Sequence, residues 1–176
     1  MAYRLNQKKK SVLVAIHVLS VASWIGGTLG MLLLCAYLQN AANGEQLFYT
    51  LISMEIIDEN LLKYPALLTL ITGIMLSVWT QWGLVKHYWV MVKLVLTILT
   101  IMIGILFLNK WTVFLVETVE DLGFVALQHT PFQSTWLSII ITSSFNLLCL
   151  AFMTFITYMK PFGKVQRKNR KSKQAA

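Results

Sequence analysis

The stretch from Ser11 to Leu38, SVLVAIHVLSVASWIGGTLGMLLLCAYL, holds no Asp, Glu, Lys or Arg and follows directly on Lys8, Lys9 and Lys10. More than about 18 apolar residues in a row are long enough to cross hydrocarbon, where only a helix or a closed barrel satisfies every backbone polar group. The stretch is therefore read as a transmembrane helix. Its apolar core exceeds the ~7 to 15 residues of a secretory signal, and no A-x-A-like cleavage site follows it. Leu34, before Cys35, is not the small residue expected of a lipoprotein signal. The helix is expected to be retained.

Nothing else in the chain competes with that reading. Of 176 residues, 57% are hydrophobic and 12% charged, which leaves room for about four spans and no separate soluble domain. Spans are predicted at about 12–38, 61–80, 89–108 and 136–158. Together they make an all-α, four-helix transmembrane bundle within a membrane domain of residues 1–160. The link QWGLVKHY is short enough to make spans two and three antiparallel neighbours. Two longer connections contain EQLFYTLISMEIIDEN and WTVFLVETVEDLGFVALQ, each expected as a short amphipathic helix at the outer interface. Residues 161–176 read as a basic cytoplasmic tail, disordered or lying along headgroups.

The net charge is +8, and its distribution carries more than its sum. Arg4, Lys8, Lys9, Lys10, Lys86, Lys93 and the six basic residues from Lys164 to Lys173, with Lys160, share one side of a four-span chain. Lys63 and Lys110 lie opposite, with all seven acids: Glu45, Glu55, Asp58, Glu59, Glu117, Glu120 and Asp121. The positive-inside rule then makes both termini cytoplasmic in a multi-pass cell-membrane protein. Trp79, Trp82, Tyr88, Trp89 and Tyr158 form an inner aromatic belt; Tyr37, Tyr64, Trp111 and Trp136 form an outer one. The expected partner is the lipid bilayer, with a second copy or another membrane protein as a further one. No residue pattern supports nucleic-acid binding.

At about 100° per residue, His17, Val21, Trp24, Thr28, Met31 and Cys35 share one face of span one. Ala22, Gly26 and Gly30 fall opposite, a spacing that predicts close helix approach. Cys35 and Cys149 are expected in different leaflets as buried small hydrophobes, beyond disulfide reach. Span two carries Thr69, Thr72, Gly73, Ser77 and Thr80, and span three Lys93, Thr97, Thr100 and Gly104. Span four carries Ser138, Thr142, Asn146, Cys149 and Met153. Hydroxyls in such helices mostly bond their own backbone or a neighbouring helix. Asn146, near mid-bilayer, is expected to point inward.

Two residues point to chemistry. Lys93 lies about one turn inside span three, on the side without carboxylates, where it either snorkels or faces an anion that is not protein. His17 sits at nearly the same depth; an intramembrane histidine is a functional candidate, and imidazole is a common axial ligand of haem iron. The pair suits a haem whose iron meets His17 and whose propionates meet Lys93. His87, Met91 and Met153 are candidate second ligands. His129, beside Glu117, Glu120 and Asp121, reads as solvated loop charge, since the spacing matches no metal pattern. The chain has no P-loop, G-x-G-x-x-G, H-E-x-x-H, C-x-x-C or G-x-S-x-G motif.

The segments HVLSVASWIGG (His17 to Gly27), PALLTLITG (Pro65 to Gly73) and WVMVKL (Trp89 to Leu94) resemble a membrane superfamily in their order and residues. That superfamily joins the integral-membrane protoporphyrinogen oxidases, the copper-resistance D-type proteins and uncharacterised bacterial relatives. Its pattern is a first-span His, a W-x-x-G, a P-x-x-x-x-T-x-x-x-G segment and a Lys opening the next span. His17, Trp24, Gly27, Pro65 and Lys93 match it, and Gly73 approximately. The resemblance covers roughly the first three spans. It implies a helical bundle and b-type haem binding with His17, Trp24 and Lys93 at the cofactor and His17 on the iron. The oxidase branch has further Arg and His residues after the W-x-x-G helix and a Tyr-His pair on span three; here those regions read TLGMLLLCAYL and GILFLNKW. Three functional readings follow: a haem-binding or redox-linked membrane protein, a non-enzymatic membrane subunit without cofactor, and a small-solute or metal transporter.

Overall fold

A computed structural model of the chain describes residues 6–80 and 83–159. The described residues contain no β-strand. Helix α1 runs Gln7–Leu38 and α2 runs Gly44–Ile57. A π-helical stretch, Asp58–Lys63, passes α2 straight into α3, Tyr64–Trp79. In the same way α4, Tyr88–Ile103, passes through a π-helical stretch, Gly104–Leu108, into α5, Asn109–Leu122. A 3₁₀ segment, Gly123–Gln128, then leads to α6, Thr130–Met159.

Four uninterrupted runs result: Gln7–Leu38, Gly44–Trp79, Tyr88–Gln128 and Thr130–Met159. Each is long and apolar enough to cross a membrane. The predicted spans 12–38, 61–80, 89–108 and 136–158 lie inside them except for Thr80, which caps the second run, but the second and third runs reach 36 and 41 residues. The two acidic connections are thus continuations of spans two and three. The N-terminal residues to Leu5, Trp82 and the basic tail lie outside the described residues.

The runs pack as a closed square. The first contacts α2, the Asp58–Lys63 stretch and α3 in turn; α2 meets α5 while α3 meets α4; and α6 packs on α4, α5 and α1. One end of the square carries Lys8, Lys9, Lys10, Lys86 and Lys93 and is called the basic end; the other carries the seven acids and is called the acidic end. The packing is uneven along the axis. Met31, Cys35 and Leu38 of α1, Leu47, Leu51 and Met54 of α2, Leu115 of α5, and Phe132 and Ile139 of α6 are all fully buried, and all lie toward the acidic end. Among the described residues, no side chain at the basic end is buried so completely. Large apolar residues such as Leu19, Leu33, Val95, Ile141, Leu148 and Phe155 face outward, a surface that suits lipid and would drive aggregation in water.

Local chemistry explains the continuous runs. Pro65 lacks an N–H, so the Leu61 carbonyl cannot take its usual bond from four residues on. The preceding turns widen to the π form instead of breaking, a known accommodation inside long helices. Asn43 caps α2 by accepting from the Gln46 backbone N–H at 2.8 Å. Gly123, with φ of 59°, supplies the left-handed residue that ends α5.

The predicted small-residue face of α1 requires correction. Ala22 and Gly26 are exposed, and a Cβ on Gly26 would meet nothing within 4 Å. The close approach falls instead on Gly27, where a Cβ would sit 2.7 Å from the Leu61 carbonyl oxygen. Gly30 contributes less, with Ile57 Cδ1 at 3.3 Å from its hypothetical Cβ. The contact therefore centres one residue on, rotated about 100° from the predicted face. Cys35 and Cys149 are free and buried.

Candidate functional site

At the basic end α1, α3, α4 and α6 leave a cavity of about 290 Å³. Its polar lining includes Lys10 and His17 from α1, Ser77 from α3, Lys93 from α4 and Thr157 from α6. The lining contains no Asp or Glu. His17 and Lys93, the two ionisable residues that the sequence places at one depth within the spans, thus share one pocket.

The imidazole is held in one orientation. His17 Nδ1 lies 2.8 Å from Thr72 Oγ1, and Thr72 gives its own hydroxyl proton to the Leu68 carbonyl at 2.6 Å. A hydroxyl has a single proton, so towards His17 it accepts and the ring proton belongs on Nδ1. In the neutral ring Nε2 then carries an available lone pair. Gly73 gives the ring its seat, since a Cβ there would lie 3.4 Å from His17 Cε1. A histidine fixed through one nitrogen, with the other available, is the usual arrangement of a metal or haem ligand.

Lys93 turns inward. Its Nζ donates to Thr157 Oγ1 at 2.7 Å, joining α4 to α6, while Thr157 donates to the Met153 carbonyl at 2.9 Å. The ammonium retains two further protons for a ligand. An ammonium in surroundings of low polarity without a protein carboxylate favours an anionic guest.

Other predicted residues fall elsewhere. Trp24 is only 2% exposed and lines a second cavity nearer the acidic end, not the one that holds His17 and Lys93. His87, Met91 and Met153 do not line the His17 pocket; the Met153 sulfur accepts from Thr97 Oγ1 at 3.4 Å. His129 is exposed, and no cluster of three His, Cys, Asp or Glu side chains exists among the described residues. Asn146 points inward as expected, donating to Thr28 Oγ1 at 3.3 Å. Most hydroxyls bond the carbonyl four residues back, as Ser20, Ser77 and Thr154 do.

Sequence reading missed two residues. Thr157, partner of Lys93, sits at the last turn of α6 among exposed residues and offers no sequence signal. Asp58, grouped with the outer loop acids, is 5% exposed. Its signal was present: Leu47, Leu51, Met54, Asp58 and Leu62 recur at intervals of four and three, placing the carboxylate on the buried stripe. Comparison with protein-family models, with characterised proteins and with solved structures finds no match to this chain.

Proposed function

We propose that the protein is a cell-membrane protein, with both termini cytoplasmic, that binds an amphipathic anionic cofactor at its basic end, b-type haem being the first candidate. The observation that carries this reading is the convergence of His17 and Lys93 on one pocket free of carboxylates. His17 Nε2 would meet the iron, and Lys93, with Lys10 beside it, would meet the propionates. Bound haem would supply one-electron chemistry. The chain's own part is to fix the imidazole through Thr72, make room through Gly73 and hold the carboxylates through Lys93. The pocket, about 290 Å³, lies just under the ~300 to 1,000 Å³ usual for ligand sites.

Protein purified from haem-supplied cells is expected to show a Soret band that His17→Ala abolishes. A spectrum without that band, or one that His17→Ala leaves unchanged, sinks the haem reading. One observation favours a second reading, a structural membrane subunit: His17 and Lys93 each already have a hydroxyl partner. On that reading Lys93→Met leaves the purified protein's composition unchanged, whereas loss of a bound cofactor in that variant contradicts it.

A further inference from the structure

The second cavity, about 170 Å³, lies between the two π-helical stretches, with Asp58 and Lys63 on one and Gly104 and Leu108 on the other. Trp24, Thr100 and Asn146 complete its polar and aromatic walls. We propose that this cavity binds a monovalent cation, either a hydrated alkali ion or a small primary ammonium.

Beside the donors Lys63, Asn109 and Trp24, the cavity is lined by three side chains with acceptor oxygens, Asp58, Asn146 and Thr100. Thr28 donates its hydroxyl proton to the Trp24 carbonyl at 2.9 Å, so it can only accept from Asn146, which must present Nδ2 to it. That turns Oδ1 of the amide away from Thr28. Asn146 Oδ1 is buried with no hydrogen-bond partner, a condition that costs free energy unless a donor or a cation fills it. Thr100 gives its proton to the Leu96 carbonyl at 2.9 Å and so offers only lone pairs.

Asp58 supplies the charge. Its carboxyl is almost wholly buried and takes a hydrogen bond from the Asn109 side chain. Lys63 acts on it through space, but the Lys63 ammonium lies 3.4 Å from Glu59 on the exposed side, the one salt bridge among the described residues. Asp58 therefore has a nearby cation but no direct ion pair. One carboxylate, one orphaned amide oxygen and a hydroxyl oxygen suit a single positive charge. A divalent ion asks for more carboxylates than the site has. The volume exceeds that of a bare ion, so water or a short alkyl group accompanies the charge. The indole of Trp24 offers such a guest an aromatic face. Both walls being π-helical agrees with the frequency of such turns at functional sites.

The full chain, purified in detergent, is titrated with NaCl, KCl or methylammonium chloride, N-methylglucamine chloride holding ionic strength constant. Thermal midpoint and tryptophan fluorescence are both followed. A saturable rise in midpoint is expected with at least one of the three, and which one separates alkali ion from ammonium. Asn146→Leu should weaken it about tenfold. Asp58→Asn should abolish the saturable part while folding to the same helical content. The proposal is overturned if the unaltered protein saturates with none of the three salts, or if Asp58→Asn responds as it does.

Discussion

Gly27 of α1 and Leu61 of the second run approach so closely that a Cβ on Gly27 would lie 2.7 Å from the Leu61 carbonyl oxygen and 2.8 Å from its Cβ. That oxygen is the one Pro65 leaves without its i+4 donor. The hydrogens of a glycine Cα can rest against such a carbonyl, as recurs where membrane helices pack tightly. The contact joins two unusual residues, one that removes a side chain and one that removes a hydrogen bond.

Gly27→Ala is expected to destabilise the bundle by about 1–3 kcal/mol, the usual cost of overpacking. Gly26→Ala should be neutral or stabilising by about 0.5–1 kcal/mol, because nothing lies within 4 Å of its Cβ position and alanine favours helix. Thermal midpoints of the two variants in one detergent check both. Equal effects would contradict the assigned contact.

Thr72→Val removes the acceptor that orients His17 while nearly preserving shape. Cofactor affinity should fall about 10- to 100-fold, as for other partners of ligating histidines. Thr72→Ser, which keeps the hydroxyl, should restore it. Titration of haem into apo-protein reads the difference, and a Val variant that binds as tightly as the parent refutes the role.

The pocket and the spans differ in how far the sequence announces them. Spans were legible because hydrocarbon forces long uncharged runs, and His17 and Lys93 because ionisable groups stand out within such runs. The helical continuation through Asp58–Lys63 was not, since π pairing arises from packing around Pro65 rather than from any local preference. Nor was the true contact glycine. Periodicity gives the faces of a helix but not its rotation relative to neighbours, so Gly26 and Gly27 could not be told apart without the Asp58–Lys63 stretch in place.

Trp136 Nε1 donates to the Cys35 carbonyl at 3.1 Å, pinning α6 to α1 at the acidic end. Trp136→Phe should cost about 1 kcal/mol, the net worth of one such bond. A midpoint within error of the parent would assign the link no weight.

Orientation can be read from single cysteines. Lys86 and Glu120 are exposed at opposite ends, while Cys35 and Cys149 are buried and should stay silent. With cytoplasmic termini, a membrane-impermeant maleimide applied to intact cells labels Glu120→Cys and spares Lys86→Cys. The reverse pattern would invert the topology.

The uneven packing of the bundle has a consequence for traffic. With their fully buried side chains gathered toward one end, from Met31 to Leu38 and from Leu47 to Met54, the described residues form a cup with a solid floor and a looser rim. A guest of the pocket proposed at His17 and Lys93 would come and go over that rim, on the face it started from.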